Sequence, residues 1–481
     1  MASPTTTRRY WNGTRYGTYT ARALIFTVGL LLTGPMGTAR PQAAEGGPDE
    51  GRLQSELDEA AAVDTIAINP SLHQQRLTVD EGAPDDYFGG AIAVSGDTAL
   101  VGAANGDAEN INEGTVYVFR RRHGVWRREA TLTADNGTPG GLFGHSVALS
   151  RHGETALVGA PWISVDGYGE GVAYVFTRDG SKWSQRAQLL VAGEWNDGFG
   201  WSVAISDHGE TALVGTPAVD VGDNDNQGVV YVFTRSDGGW SEQTKLTADD
   251  GAPRDYFGRS VALSGDGETA LVGAPSVIRG DEARPGSAYV FARSDDGWRQ
   301  QTRLTAAEVT SDDLFGWSVA LSRKGHTAVV GAPAAFSPSS ASPGAAYVFT
   351  RSDEAWTQQA TLTADDGVAG DEFGSSVALS GDIALVGADF ADRDDNIPPN
   401  FRGAAYVFTR MGGFWVQRAK LSPAQVVESD RRLDFGRSVA LSRHGGTALV
   451  GAPFADVDGN ADQGAVYVFQ RRHGRTDDDH P

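Results

Sequence analysis

The dipeptide Phe-Gly returns seven times along this chain, at Phe88, Phe143, Phe199, Phe257, Phe315, Phe373 and Phe435, separated by 55, 56, 58, 58, 58 and 62 residues. Each is followed by a Val-Gly-Ala/Thr signal with its glycine at Gly102, Gly159, Gly215, Gly273, Gly331, Gly387 or Gly451. Tyr-Val-Phe comes next, starting at Tyr117, Tyr174, Tyr231, Tyr289, Tyr347, Tyr406 and Tyr467. Six of the seven units then carry a tryptophan nine residues after the tyrosine and a leucine six residues beyond it, from Trp126/Leu132 to Trp415/Leu421. A period of this length restricts the chain to architectures that stack or close one supersecondary unit.

Each phrase of the unit has strand character. SVALS alternates polar and apolar residues, the period of a half-covered strand. TALVGA is a continuous apolar run, as for a strand covered on both faces. AYVF is β-branched and aromatic, and WTQQATL has apolar ends and a polar middle, as an outer strand would. Gly, Asp, Ser and Pro fill the intervals, and no helical period interrupts them. Four short strands per unit and seven units predict an all-β fold, a seven-bladed β-propeller of four-stranded antiparallel blades, with Phe, Trp and Tyr filling the space between blades. An open β-solenoid is the alternative, although its repeats are usually shorter. The seventh unit lacks its outer strand: position 476 is Thr where Trp is due, and the matching leucine would fall past residue 481. LHQQRLT, 72–78, supplies a candidate, since Leu77 precedes Phe88 by the same 11 residues that separate Leu132 from Phe143. That N-terminal strand is expected to complete the last blade and close the ring, which removes an exposed sheet edge.

The Phe-Gly and Gly-Ala-Pro pairs, with the Tyr-Val-Phe, Trp and LTADDG phrases between them, resemble the FG-GAP repeat proteins, the family of the integrin α-subunit propeller, and more closely its prokaryotic exported branch. The resemblance covers residues 72 to 470. It implies a propeller outside the cell that binds or adheres rather than catalyses, and it names no ligand. Calcium in integrin-type repeats sits in an Asp-x-Asp-x-Asp-Gly-x-x-Asp loop between Phe-Gly and Gly-Ala-Pro. Here that segment is a tight turn such as SRHGETA or SGDTA, so this site does not carry over.

In an antiparallel blade the four connections alternate between the two faces of the disc. The first-to-second and third-to-fourth turns are short and share one face. The second-to-third and fourth-to-next-first loops vary in length and share the other, which is where binding is expected. Those loops are acidic. Unit seven has DVDGNADQG, with Asp456, Asp458, Asn460 and Asp462 at alternate positions; unit three has Asp220, Asp223 and Asp225; unit six has Asp392, Asp394 and Asp395. Alternating hard oxygen ligands near a glycine can wrap calcium. Solvation of an acidic surface accounts for the same composition, and no loop completes a ligand pattern.

Arg279-Gly280-Asp281 on this face matches an integrin-ligand tripeptide that also arises by chance in long chains, and Asn136-Gly137-Thr138 is a glycosylation sequon. His152, His208 and His444 occupy the same turn of three different units, so they cannot converge on one proton or metal. No constellation of an enzyme emerges. The function expected is that of a non-enzymatic recognition or adhesion disc for an extracellular protein or cell-surface ligand. A lectin-like propeller is the alternative, with Trp162, Trp195, Trp201 and Trp317 as stacking faces unless they only pack between blades. A hydrolase would need a carboxylate pair hidden near the axis.

Composition agrees with this reading. The net charge is −22, from 62 acidic and 40 basic residues, which excludes a nucleic-acid partner and an anionic membrane surface. There is no cysteine, hence no disulfide and no zinc-thiolate site. Residues 1–39 read as a signal peptide: Arg8, Arg9, Arg15 and Arg22 precede ALIFTVGLLLT, 23–33, and Ala39 follows small residues. That apolar run is too short to span a bilayer, and no other is longer. Residues 40–70 form an acidic spacer, residues 71–481 the propeller, and the mature protein is expected to be a secreted or cell-surface monomer without a membrane span.

Overall fold

The computed structural model describes residues 73–470 apart from 108–110, 165–169, 192–196, 238, 277–283, 335–341, 354, 392–401 and 424–431. The expected leader and spacer, and with them Trp195, Arg279–Asp281, Asp392 and Asp394, lie outside the described residues.

The described chain forms seven four-stranded antiparallel sheets. Blade one runs from its inner strand Ala91–Ser95 through Thr98–Ala103 and Thr115–Arg122 to the outer strand Val125–Leu132. The next five blades repeat that order. Successive inner strands lie side by side all round, the last beside the first, so the ring is closed. The seventh blade takes its outer strand from the start of the chain: His73–Leu77 pairs antiparallel with Ala465–Gln470, from His73 opposite Gln470 to Leu77 opposite Val466. The expected seven-bladed propeller and its N-terminal closing strand are both present. No helix among the described residues is long and apolar enough to cross a membrane.

The core consists of seven apolar clusters, each between two adjacent blades. Every second strand is buried at all six positions, because its alternate side chains enter the clusters on either side. The phenylalanine of each Phe-Gly packs against the tyrosine and phenylalanine of its own Tyr-Val-Phe. Ring centroids are 5.4–5.6 Å apart for the tyrosines and 5.8–6.2 Å for the phenylalanines, all round the ring. Each Phe-Gly phenylalanine is at most 1% exposed, and such burial contributes about 1.5–3 kcal/mol per ring. The outer-strand tryptophans are only partly covered at the rim, except Trp126 at 2%.

The two glycines that mark each unit meet each other in space. A Cβ built on Gly159 would collide with the carbonyl oxygen of Gly200, the glycine of the next unit's Phe-Gly, and the same pairing recurs at all seven boundaries. Beside it, in six of the seven blades, a serine at or just before the start of the inner strand donates its hydroxyl to that same carbonyl, as Ser202 does to Gly258 at 2.8 Å and Ser438 to Gly89, across the closure, at 2.7 Å. Ala91 occupies that place in blade one. One blade has two apolar faces and no way to cover both, so the chain repeats the blade until the last face meets the first.

Candidate functional site

The chain direction puts the residue after each Phe-Gly at the variable-loop end of an inner strand, on the rim of the axial channel. Its neighbours Phe, Gly, Ser and Val are nearly invariant around the ring, yet this position reads Gly90, His145, Trp201, Arg259, Trp317, Ser375 and Arg437. The repeat is broken here and in two flanking places. Asp389 and Phe390 stand where four other units have Pro and a small residue or tryptophan, and Glu372 and Asp434 precede their Phe-Gly where other units have Tyr, Leu or Gly.

One half of the rim is aromatic and cationic. The Arg259 guanidinium carbon lies 5.0 Å from the Trp201 ring centroid and 4.1 Å from that of Trp317, so the side chain is held between two indoles from the neighbouring blades. His145 leans on Trp201 at 4.6 Å, and Trp162 meets the same indole edge-on at 6.1 Å. Burial, reinforced by the positive fields of Arg259 and Arg437, pushes the His145 pKa down to about 4, so this imidazole is neutral at pH 7. Trp201 and Trp317 thus pack across three successive blades around Arg259 at the axial rim.

The other half is a pair of buried carboxylates held by half-exposed arginines. Asp389 has no solvent exposure and accepts from Arg437 Nη1 at 3.2 Å. Asp434, 2% exposed at its side chain, receives both Nε and Nη2 of Arg432 at 2.7 and 2.6 Å. The Arg432 guanidinium carbon lies over the Phe454 ring, 3.9 Å from its centroid. Burial works against the Arg437 charge, but Asp389 and Asp434 outweigh it and raise its pKa. Burial and the Asp389 charge push the Glu372 carboxyl up to about 8, and burial raises Asp434 to about 6. Both carboxylates are sealed from water and hold arginines: Asp389 braces blade six to Arg437 of blade seven, and Asp434 fixes Arg432 within the segment that leads into blade seven. They are not placed as a reactive carboxylate pair.

This cluster sets a pH dependence. Folded Glu372 keeps a proton that the unfolded chain gives up near pH 4.5, so stability falls as pH rises through that value towards about 8. Glu372→Gln cannot ionise. It is expected to match the parent protein in melting temperature at pH 4.5 and to exceed it at pH 9 by about 1–3 kcal/mol of stability. Parallel curves over this range would remove Glu372 as the cause.

The acidic loops stand on the same face, farther from the axis, and their described carboxylates do not gather. Asp456 Oδ1 accepts from the Asp462 backbone N–H at 3.1 Å, and Asp220 Oδ1 from that of Asn226 at 2.7 Å, so each first aspartate braces its own loop. Asn460 donates to the Gly82 carbonyl at 2.9 Å and Asn224 to that of Gly251 at 3.2 Å, which ties each loop to the one leading into the next blade. Asp223, Asp225 and Asp458 point to solvent. Among the described residues no three His, Asp or Glu side chains come together as metal ligands. Asn136 is exposed, and its Oδ1 accepts from Tyr174 at 2.8 Å. His152, His208 and His444 are exposed on separate turns of the opposite face. That face is knitted by main-chain bonds between turns, from Arg151 to Asp207, Asp207 to Gly265 and Gly265 to Arg323 at 2.8–2.9 Å. A shallow groove between the outer strands of blades three and four, lined by Lys245, Trp298 and Gln300, gathers no comparable chemistry.

Sequence reasoning singled out Trp162, Trp201 and Trp317 but not their partners His145, Arg259, Arg437, Asp389 and Asp434, whose signal was present in the variable residue inside FG-x-SVAL and in the one unit whose GAP reads GAD.

Comparison with known families agrees with the geometry. A family model described as FG-GAP repeat matches residues 72–119, 126–176, 183–233, 240–291, 298–349, 356–408 and 415–469. Each match starts on the outer strand of one blade and ends on the third strand of the next. No curated protein matches the chain. Seven consecutive matches over most of its length, on seven closed blades, make this chain a member of the FG-GAP repeat family, a β-propeller built as a recognition scaffold.

Proposed function

We propose that this protein is an exported, non-enzymatic recognition propeller that binds a protein partner through its variable-loop face, with the axial mouth at the centre of the contact. One observation carries the reading: the side chains that break the repeat gather at that mouth, while the described first-to-second turns of the opposite face are short and several are bonded to one another through the main chain. Scaffold positions repeat because packing dictates them, and unit-specific positions are free to serve a ligand. Ile111 at 72% and Val368 at 57% exposure lie on the same face and add apolar contact area. The loop aspartates enter this reading as loop braces and solvated charge rather than as calcium ligands. The leader-like residues 1–39 support export, and cleavage after Ala39 would appear in the intact mass of the secreted chain.

The two faces can be separated by site-directed photocrosslinking on cells of the native host. A photoreactive phenylalanine analogue at Ile111 or Val368 should capture one discrete partner, and at His152 or His208 none. Equal capture from both faces, or capture only from the turn face, would overturn the reading. The glycan-binding alternative has less support, because Arg259 already covers one face of Trp201 and of Trp317.

A further inference from the structure

Arg259 presents a charge that the fold has positioned and left without a counter-charge. Its guanidinium lies between the Trp201 and Trp317 rings, and among the described residues it makes no side-chain hydrogen bond and no ion pair. The contrast with its neighbours is clear. Arg432 is held by Asp434 and Arg437 by Asp389, so the arginines of the other half are committed. Burial and the field of Arg437 depress the Arg259 pKa to about 9, which marks a cation held against both desolvation and repulsion. A stacked guanidinium still offers its edge as a planar fork of N–H donors, the geometry that receives a carboxylate through two parallel bonds.

We propose that the axial mouth is an anion socket, in which Arg259 takes a side-chain or terminal carboxylate from an acidic peptide segment of a protein partner. The inference rests on the recognition reading above and names the chemistry at its centre. The surroundings favour a single carboxylate over a polyanion. Asp389 and Asp434 stand across the rim, and the chain carries a net charge of −22 that repels multiply charged ligands. They also favour a peptide over a sugar. Arg259 covers one face of each indole, and His145 and the Trp162 edge crowd Trp201 further, so little open aromatic face is left for a pyranose. The apolar wall beside Trp201, the Trp162 indole, suits a side chain flanking an inserted acid.

The test uses the full secreted chain and its tryptophan fluorescence, since two indoles flank the receiving group. The titrants are an N-acetylated, C-amidated Gly-Gly-Asp-Gly-Gly peptide, its Asn counterpart, glucuronate and inorganic phosphate. Saturable change with the Asp peptide, absent with the Asn peptide and weakened at least tenfold in Arg259→Gln, supports the socket. Arg259→Lys keeps the charge but loses the fork, and should fall between the two. Melting curves of both variants establish that they fold. No saturation with any carboxylate, or equal affinity in Arg259→Gln, overturns the proposal. Saturation by glucuronate but not by peptide overturns the protein source and assigns an acidic glycan. Phosphate binding as tight as the Asp peptide overturns the carboxylate assignment. Crosslinking at Ile111 separates this inference from the reading it rests on: partner capture that persists undiminished in Arg259→Gln removes the socket and leaves the recognition face standing.

Discussion

A chain lacking residues 73–78 is expected to lose its closed ring, with a loss of stability on the order of 5 kcal/mol and concentration-dependent association. The segment is short but makes several kinds of contact. It supplies the five paired positions from His73 to Leu77 along the last strand. Leu77, 3% exposed, lies in the cluster between blades seven and one with Phe88 and Tyr117. Gln75 accepts from the Trp126 backbone N–H at 3.0 Å and donates to the Trp126 carbonyl at 2.8 Å, a two-way clasp onto the next blade. Arg76 Nη2 donates to the Asp456 carbonyl at 2.9 Å. Without this strand Tyr467 and Val468 become an open sheet edge. Calorimetry and gel filtration of the deletion against a chain starting at residue 71 check the expectation, and a synthetic 72–79 peptide added in excess should restore part of the melting temperature. An unchanged melting temperature would mean the ring is held by its inner strands alone.

Gly159→Ala is expected to cost at least about 3 kcal/mol although it adds a single methyl group. The obstacle is the Gly200 carbonyl of the next blade, a backbone atom that cannot rotate away, with the Ser146 hydroxyl beside it. Gly200 itself has φ +91°, a conformation closed to other residues without strain. Relief would require two blades to separate and would break the Ser146 bond to the Gly200 carbonyl at 2.9 Å. Gly96→Ala is the control. Gly96 also has positive φ, +59°, but nothing lies within 4 Å of its added Cβ. It should show only the left-handed penalty of about 1 kcal/mol. Denaturant unfolding of the two variants distinguishes them, and equal losses would show that crowding between blades is not what selects glycine at Gly159.

The propeller was readable from sequence because its physics is repeated seven times. Covered second strands, half-covered inner strands and paired aromatics each left the same trace at the same offset, and even the displaced closing strand could be found by counting from Leu77 to Phe88. The axial site was read only as separate tryptophans, for the opposite reason. His145, Trp201, Arg259 and Trp317 share a position but no residue type, and successive ones lie more than fifty residues apart in the chain. They are neighbours only because the ring turns sequence period into spatial adjacency. In FGHSVALS and FGRSVALS the constant letters drew attention away from the variable one. The acidic loops have two readings in sequence. Asp456 and Asp220 alternate with other polar residues as metal ligands would, but Asx-type bracing of a loop uses the same residues at similar spacing.

The repeat in the chain and the blade in space are offset by one strand, since each matched stretch begins on the outer strand of one blade and ends on the third strand of the next. A gene that gains or loses a whole stretch therefore never strands a half-finished sheet. The displaced first strand always finds the last blade waiting, whatever the number of blades between them. Recombination at any of the seams could change the circumference, and with it the width of the axial channel, while the Gly-to-Gly contacts and the closing strand stay as they are. The offset makes the size of the disc, and the span of any site at its centre, open to evolutionary change in whole-unit steps.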